Sequence, residues 1–144
     1  MLGEYKNILV PVDGSAQSED SFKKAVAIAK RNNAVLHLVY IADTRNMSLN
    51  PENEFQTMEA LKDLEYAFLD EMVAFAETEG VVIKKTAKDG NPMTLIAETF
   101  PKLFNADLIV IGATGKGAIT RAFVGSVSNY VVRHAPCDVL VVRT

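Results

Sequence analysis

Hydrophobic positions along the chain change period several times, and each change marks an element. Ile8-Leu9-Val10-Pro11-Val12 is an apolar run rich in β-branched residues, closed by the turn residues Asp13-Gly14-Ser15, and predicts a first strand. Pro11 cannot donate to a ladder, which places it near the strand's end, where pairing stops. From Ala16 to Asn33 the period turns helical. Phe22, Ala25, Val26 and Ala29 fall at i, i+3, i+4 and i+7, and Asn32-Asn33 closes the helix. Val35 to Ile41 is a second strand, in which His37 alternates with Leu36 and Leu38 and is expected to be partly buried. Ala42 to Glu54 is polar and, at thirteen residues, long for a connection. Met58, Leu61, Leu64, Phe68, Met72, Phe75 and Ala76 recur at helical spacing, which predicts a long helix with its Met and Phe positions in the core. Gly80 stops it.

Val81-Val82-Ile83 opens a third strand that runs into Lys84–Lys88. Asp89-Gly90-Asn91-Pro92 is a turn with Pro at a first helical position, and Met93 to Phe104 is the third helix. Asp107 to Ile111 is a fourth strand, apolar on both faces. Gly112 to Val124 is a glycine-bearing loop, Gly125-Ser126 opens a short helix to His134, and Cys137 to Arg143 is a fifth strand. Strands alternating with helices predict an α/β fold with a parallel sheet and helices on both faces.

Composition narrows the function. The chain has 144 residues, a length that predicts a single domain over 1–144. Hydrophobic residues make up 49% and charged residues 23%, which excludes whole-chain disorder. A net charge of −3 argues against nucleic acid as the partner. The single cysteine, Cys137, excludes an internal disulfide and reads as a small buried hydrophobe. No apolar run approaches the roughly 20 residues of a membrane span, so no membrane association and a cytoplasmic location are expected.

In open α/β sheets ligands bind at the carboxyl ends of strands, where strand order reverses. Two turns lie at such ends: Asp13-Gly14-Ser15, and the loop from Gly112 through Thr114, Gly115, Lys116 and Gly117 to Gly125-Ser126-Val127-Ser128. Glycines let backbone N–H groups approach an anion, and a helix N-terminus favours phosphate. Ser126 reads as the N-cap of the last helix, with Ser126 and Ser128 as hydroxyl donors. Lys116 and Arg121 add charge; a solvated glycine-rich loop is the competing reading. The spacing fits neither a Walker A loop nor the Rossmann glycine fingerprint. His37 and His134 have no metal-site spacing and read as structural, His134 in a helix's last turn.

The run Gly112, two residues, Gly115, nine residues, Gly125-Ser126 resembles the motif of the ATP-binding branch of the universal stress proteins. Ile8 to Ser15 is similar to that family's first strand and turn, and Val132 to Val142 to its last helix and strand. The resemblance spans nearly the whole chain. It implies an open five-stranded parallel sheet in the order 3-2-1-4-5 and ATP between strands one and four, with Mg²⁺ bound through the phosphates. By position, Pro11, Asp13 and Ile41 border the nucleoside. Gly112 and Gly115 lie along ribose and phosphates, and Gly125, Ser126, Val127 and Ser128 hold the phosphates. Thr114 stands where many members carry a bulky polar residue, and Asp138 where many carry proline. A homodimer through the fifth strand and an unidentified downstream protein partner complete the expectation. No second acid stands in the loop to serve phosphoryl transfer, so a non-enzymatic stress regulator leads. The alternatives are a slow ATPase or nucleotide phosphotransferase, and a flavin or adenylate-transfer enzyme.

Overall fold

The computed structural model describes residues 3–42, 54–114 and 124–143, with the side chains of 54–62 excepted. Its elements are β1 (Asn7–Val12), α1 (Ala16–Asn32), β2 (Val35–Ala42), α2 (Glu54–Thr78), β3 (Val82–Asp89), α3 (Pro92–Thr94), a π-helical turn (Leu95–Thr99), α4 (Phe100–Phe104), β4 (Leu108–Gly112), α5 (Ser126–His134) and β5 (Asp138–Val142). All strand pairs are parallel, in the order β3-β2-β1-β4-β5.

Residues of left-handed propensity set where helices stop. Asn33 and Asn105 end α1 and α4, each with φ 54°, and Gly80 follows α2 with φ 77°. Asn tolerates this conformation and Gly adopts it freely, so each helix is broken just before a strand. At the other ends, Ser15 caps α1 by accepting from the Ser18 N–H, and Asn91 caps α3 by accepting from the Met93 N–H.

Two cores sandwich the sheet. Ile8, Val10, Leu36, Leu38, Leu108 and Val110 face α1 and α2. Leu9, Val39, Ile109 and Ile111 face the opposite way, toward Phe100 of α4 and Val131 of α5. The α2 stripe differs from the expectation. Leu69, Met72 and Ala76 are buried, whereas Leu64 is 68% exposed and Phe75 40%. At 100° per residue Leu64 stands about 140° around the helix from Leu69, and both cannot face the sheet.

The third helix is not one regular helix. The Phe100 N–H donates to the Leu95 carbonyl, five residues back, and the segment widens into a π turn. Pro101 explains this: it has no N–H for the Ala97 carbonyl, and its ring crowds that position.

His37 is buried rather than partly so, at 6% exposure. Its ring stacks on Phe104 at 4.5 Å, its Nε2 lies 3.2 Å from the Asn7 Oδ1, and its Nδ1 has no partner among the described residues. Burial first, and Lys84 second, push its pKa down. The unfolded chain then takes up a proton near pH 6.5 that the folded one resists. Stability is therefore full above pH 6.5 and falls as the pH drops below it. Melting temperatures from pH 7.5 to 5.5 should decline, and His37→Leu should flatten that slope; equal slopes would reject the assignment.

No helix among the described residues is long and apolar enough to cross a membrane.

Candidate functional site

Strand order reverses between β1 and β4, and there the sheet opens. β1 pairs with β2 through Val12↔Tyr40, but its pairing with β4 covers only Ile8↔Leu108 and Leu9↔Ile109. Pro11 follows two residues later without an N–H, as expected for a strand whose ladder stops there. The carboxyl ends of β1 and β4 thus lie side by side without bridging, at the switch point where this architecture takes ligands.

The wall on the β1 side is a turn closed on itself. The Asp13 carboxylate accepts from the Ser15 N–H at 2.9 Å, and the Ser18 hydroxyl accepts from the Asp13 N–H at 3.3 Å and donates to the Ser15 carbonyl at 2.9 Å. Gly14, at φ 85°, makes the turn possible. The α1 N-terminus is therefore occupied by its own cap.

The α5 N-terminus differs. Gly125, not Ser126, is its N-cap residue, and no side chain caps it. Ser126 is already the first helical residue, because the Asn129 N–H bonds the Gly125 carbonyl at 3.0 Å. The turn is fixed to the sheet instead. The Gly125 N–H donates to the Ala113 carbonyl at 2.8 Å, and the Ser128 hydroxyl donates to the Gly112 carbonyl at 2.6 Å. Among the described residues no acceptor meets the N–H groups of Ser126, Val127 or Ser128. The single hydroxyl proton of buried Ser128 is engaged with the Gly112 carbonyl, so that hydroxyl is not the free donor the sequence suggested.

The two described glycines of the motif have different reasons. A Cβ on Gly112 would stand 3.3 Å from the backbone carbonyl oxygens of Gln17 and Thr114, so glycine here lets α1 pack on the end of β4. Gly112→Ala should destabilise the fold by about 1–3 kcal/mol, measured by urea denaturation; an unchanged midpoint would show that α1 yields freely. Among the described residues, a Cβ on Gly125 would meet nothing closer than the Ala113 carbonyl oxygen, at 3.5 Å. Its φ of −65° suits any residue. Neither its backbone angle nor a described neighbour requires glycine at 125.

Pro11 is buried, Asp13 and Ile41 are half-buried, and Ser126 is exposed. Ile41 and Val127 pack against the same core, so β2, β4 and α5 meet on one face of the sheet. Gly115, Lys116, Gly117 and Arg121 lie outside the described residues. Near the β2 end, burial first, then Glu65 and Asp13, raise the Tyr40 pKa, so its hydroxyl stays neutral. The Cys137 thiol, half-buried, is pushed up to about 11, chiefly by burial. The hydroxyl clamp from Ser128 had no signal in the sequence, since a second serine in a first turn reads equally well as a donor to ligand.

A model described as the universal stress protein family matches residues 4–143. A relative in Staphylococcus aureus (strain USA300), itself named as a universal stress protein, is 43% identical over 141 residues, 97% of this chain and 85% of that one. The solved universal stress protein UspA from Lactobacillus plantarum is 37% identical with a TM-score of 0.81, covering 98% of this chain and 99% of that one. A universal stress protein solved in complex with cAMP is 28% identical with a TM-score of 0.71, covering 97% of this chain and 98% of that one.

Proposed function

The chain belongs to the universal stress protein family, and on that premise we propose that it is a cytoplasmic, ATP-binding regulator of the stress response, built as one nucleotide-binding domain over 1–144. One observation carries the reading: the uncapped first turn of α5 is fixed beside the unbridged ends of β1 and β4. A helix N-terminus with unengaged N–H groups and the positive end of its dipole favours phosphate.

In this reading the N–H groups of Ser126, Val127 and Ser128 and the Ser126 hydroxyl hold the phosphates. Gly125 leaves the approach open. Gly112 and Gly115 border the ribose and phosphates, and Pro11, Asp13 and Ile41 border the nucleoside. Mg²⁺ enters with the nucleotide, through its phosphates. The cAMP held by the relative of 28% identity supports an adenine nucleotide as the ligand class. Nucleotide occupancy alters the surface offered to a downstream protein, and two copies join through β5. Calorimetric titration with Mg-ATP should show saturable binding of one nucleotide per chain. Absence of heat and of competition by any adenine nucleotide would reject the reading.

The site binds rather than turns over. Residues 112–128 contain no Asp, Glu or His, and the Asp13 carboxylate accepts from the Ser15 N–H. Fast phosphoryl transfer needs a positioned base or water-orienting group. Steady-state phosphate release should stay well below about 1 s⁻¹. Faster release from protein free of contaminating ATPase would reject this; slow release abolished in Ser126→Ala, with binding retained, would favour the slow-ATPase alternative.

A further inference from the structure

β3 is an edge strand, and no described helix packs on one of its faces. Ile83 and Ala87 pack into the core under α1 and α2. On the opposite face Val82 is 61% exposed, and Lys84 and Lys88 are exposed with it. The register joins this bare face to the candidate site. His37 pairs with Lys84, Val39 with Thr86, and Ile41 with Lys88. Partners in a parallel register share a face, about 4.8 Å apart. Lys88 is thus the next residue beyond Ile41, level with it and on the same face. The Gly90 N–H donates to the Ala42 carbonyl at 3.1 Å, which holds the end of β3 against the end of β2. Lys88 makes no ion pair with another described residue.

The order across the sheet then orients a nucleotide. Phosphates sit at α5 beyond β4, the nucleoside lies over β1 and β2, and a base resting on Ile41 points its outer edge at β3. We propose that Lys88 is a specificity-determining residue of this site: its ammonium donates to an acceptor atom on the outer edge of a purine base seated on Ile41. This rests on the nucleotide reading above. A purine carries ring-nitrogen acceptors on a second ring, and a pyrimidine on the same ribose ends one ring short and leaves the ammonium to water. The ligand class is accordingly a purine nucleotide. Lys84 supplies the internal control, since it lies on the same strand and face but roughly 13 Å back toward the amino end.

The test titrates wild type, Lys88→Met and Lys84→Met with ATP, CTP and inorganic tripolyphosphate at one ionic strength. Met keeps the apolar stem and removes the charge. Lys88→Met should weaken ATP about tenfold, the scale of one charged hydrogen bond, and leave CTP and tripolyphosphate as in wild type. Lys84→Met should change none of the three. Equal weakening of all three ligands by Lys88→Met would mean that the charge acts on the phosphates, and would overturn base recognition. Unchanged ATP affinity in Lys88→Met, with binding still lost in Gly125→Asp, would overturn the role of Lys88 and leave the site standing. Failure of the wild type to bind any of the three would overturn the nucleotide reading itself, and the role of Lys88 with it.

Discussion

Gly125→Asp should weaken ATP binding by a factor of about a hundred or more, without lowering the melting temperature of the nucleotide-free protein. Both halves follow from one geometry. The nearest described neighbour of that Cβ would be the Ala113 carbonyl oxygen at 3.5 Å, and the backbone at φ −65° suits an ordinary residue. Asp is moreover among the best N-cap residues, so the α5 terminus gains a bond to its own second or third N–H. That bond consumes a group a phosphate would use, and the carboxylate places a negative charge where phosphate must come. Loss of a charged hydrogen bond together with like-charge repulsion reaches about 3 kcal/mol, or roughly a hundredfold. Gly125→Asn separates the two contributions: it caps as well but carries no charge, and should cost only about tenfold. Wild-type affinity in both variants would remove the phosphates from α5 altogether.

Gly112 and Gly125 look alike in the motif, and only coordinates tell them apart. A sequence shows that a side chain is missing; it does not show what stands in the vacated space. At 112 that space faces the Gln17 carbonyl oxygen, brought there by the packing of α1 on β4. At 125 no described neighbour comes within 3.4 Å of that space, so neither α1 nor the sheet accounts for the glycine.

Much of the fold was legible because the chain's punctuation is local. Asn33, Gly80 and Pro92 act through their own backbone preferences, and each stands where its preference puts it. The strand order 3-2-1-4-5 was legible only through the family resemblance, since periodicity carries no order. The misread features depend on tertiary partners. Apolar residues at helical spacing included Leu64 and Phe75, but the sheet selects the Leu69, Met72 and Ala76 stripe. His37 was expected half-out from its alternation with leucines, yet a sheet covered on both faces buries both sets. Ser126 was misplaced as the cap by one residue, because the first intrahelical bond, from the Asn129 N–H, is accepted by the Gly125 carbonyl. The serine itself still stands in the first turn.

Val141→Pro should convert a wild-type dimer into a folded monomer. The two edges of the sheet are unlike. β3 carries Lys84, Lys85 and Lys88, the kind of charge that discourages strand addition, whereas β5 is Val139-Leu140-Val141-Val142 between Asp138 and Arg143. The Asp138 carboxylate accepts the Tyr5 hydroxyl at 2.7 Å, so it is tied toward the body of the protein rather than set over the edge. The Ala113 N–H donates to the Val142 carbonyl, which turns the polar groups of Val142 toward β4. By strand alternation those of Leu140 also face β4, and those of Val139 and Val141 face outward. A second copy running antiparallel across a two-fold axis would pair Val139 with the partner's Val141 and the reverse, giving four backbone hydrogen bonds centred on Leu140. Proline at 141 removes two of those four by symmetry and places a ring in the seam. It leaves the β4–β5 ladder intact, because the Val141 N–H points away from β4, and an edge strand tolerates proline on that side. Leu140→Pro strikes the inward groups instead and should lower the melting temperature, which separates loss of the dimer from loss of the strand. Sedimentation should report a dimer for wild type at micromolar concentration and a monomer of native circular dichroism for Val141→Pro. A wild-type monomer at that concentration would mean that a five-residue strand is too short an edge to recruit its own copy.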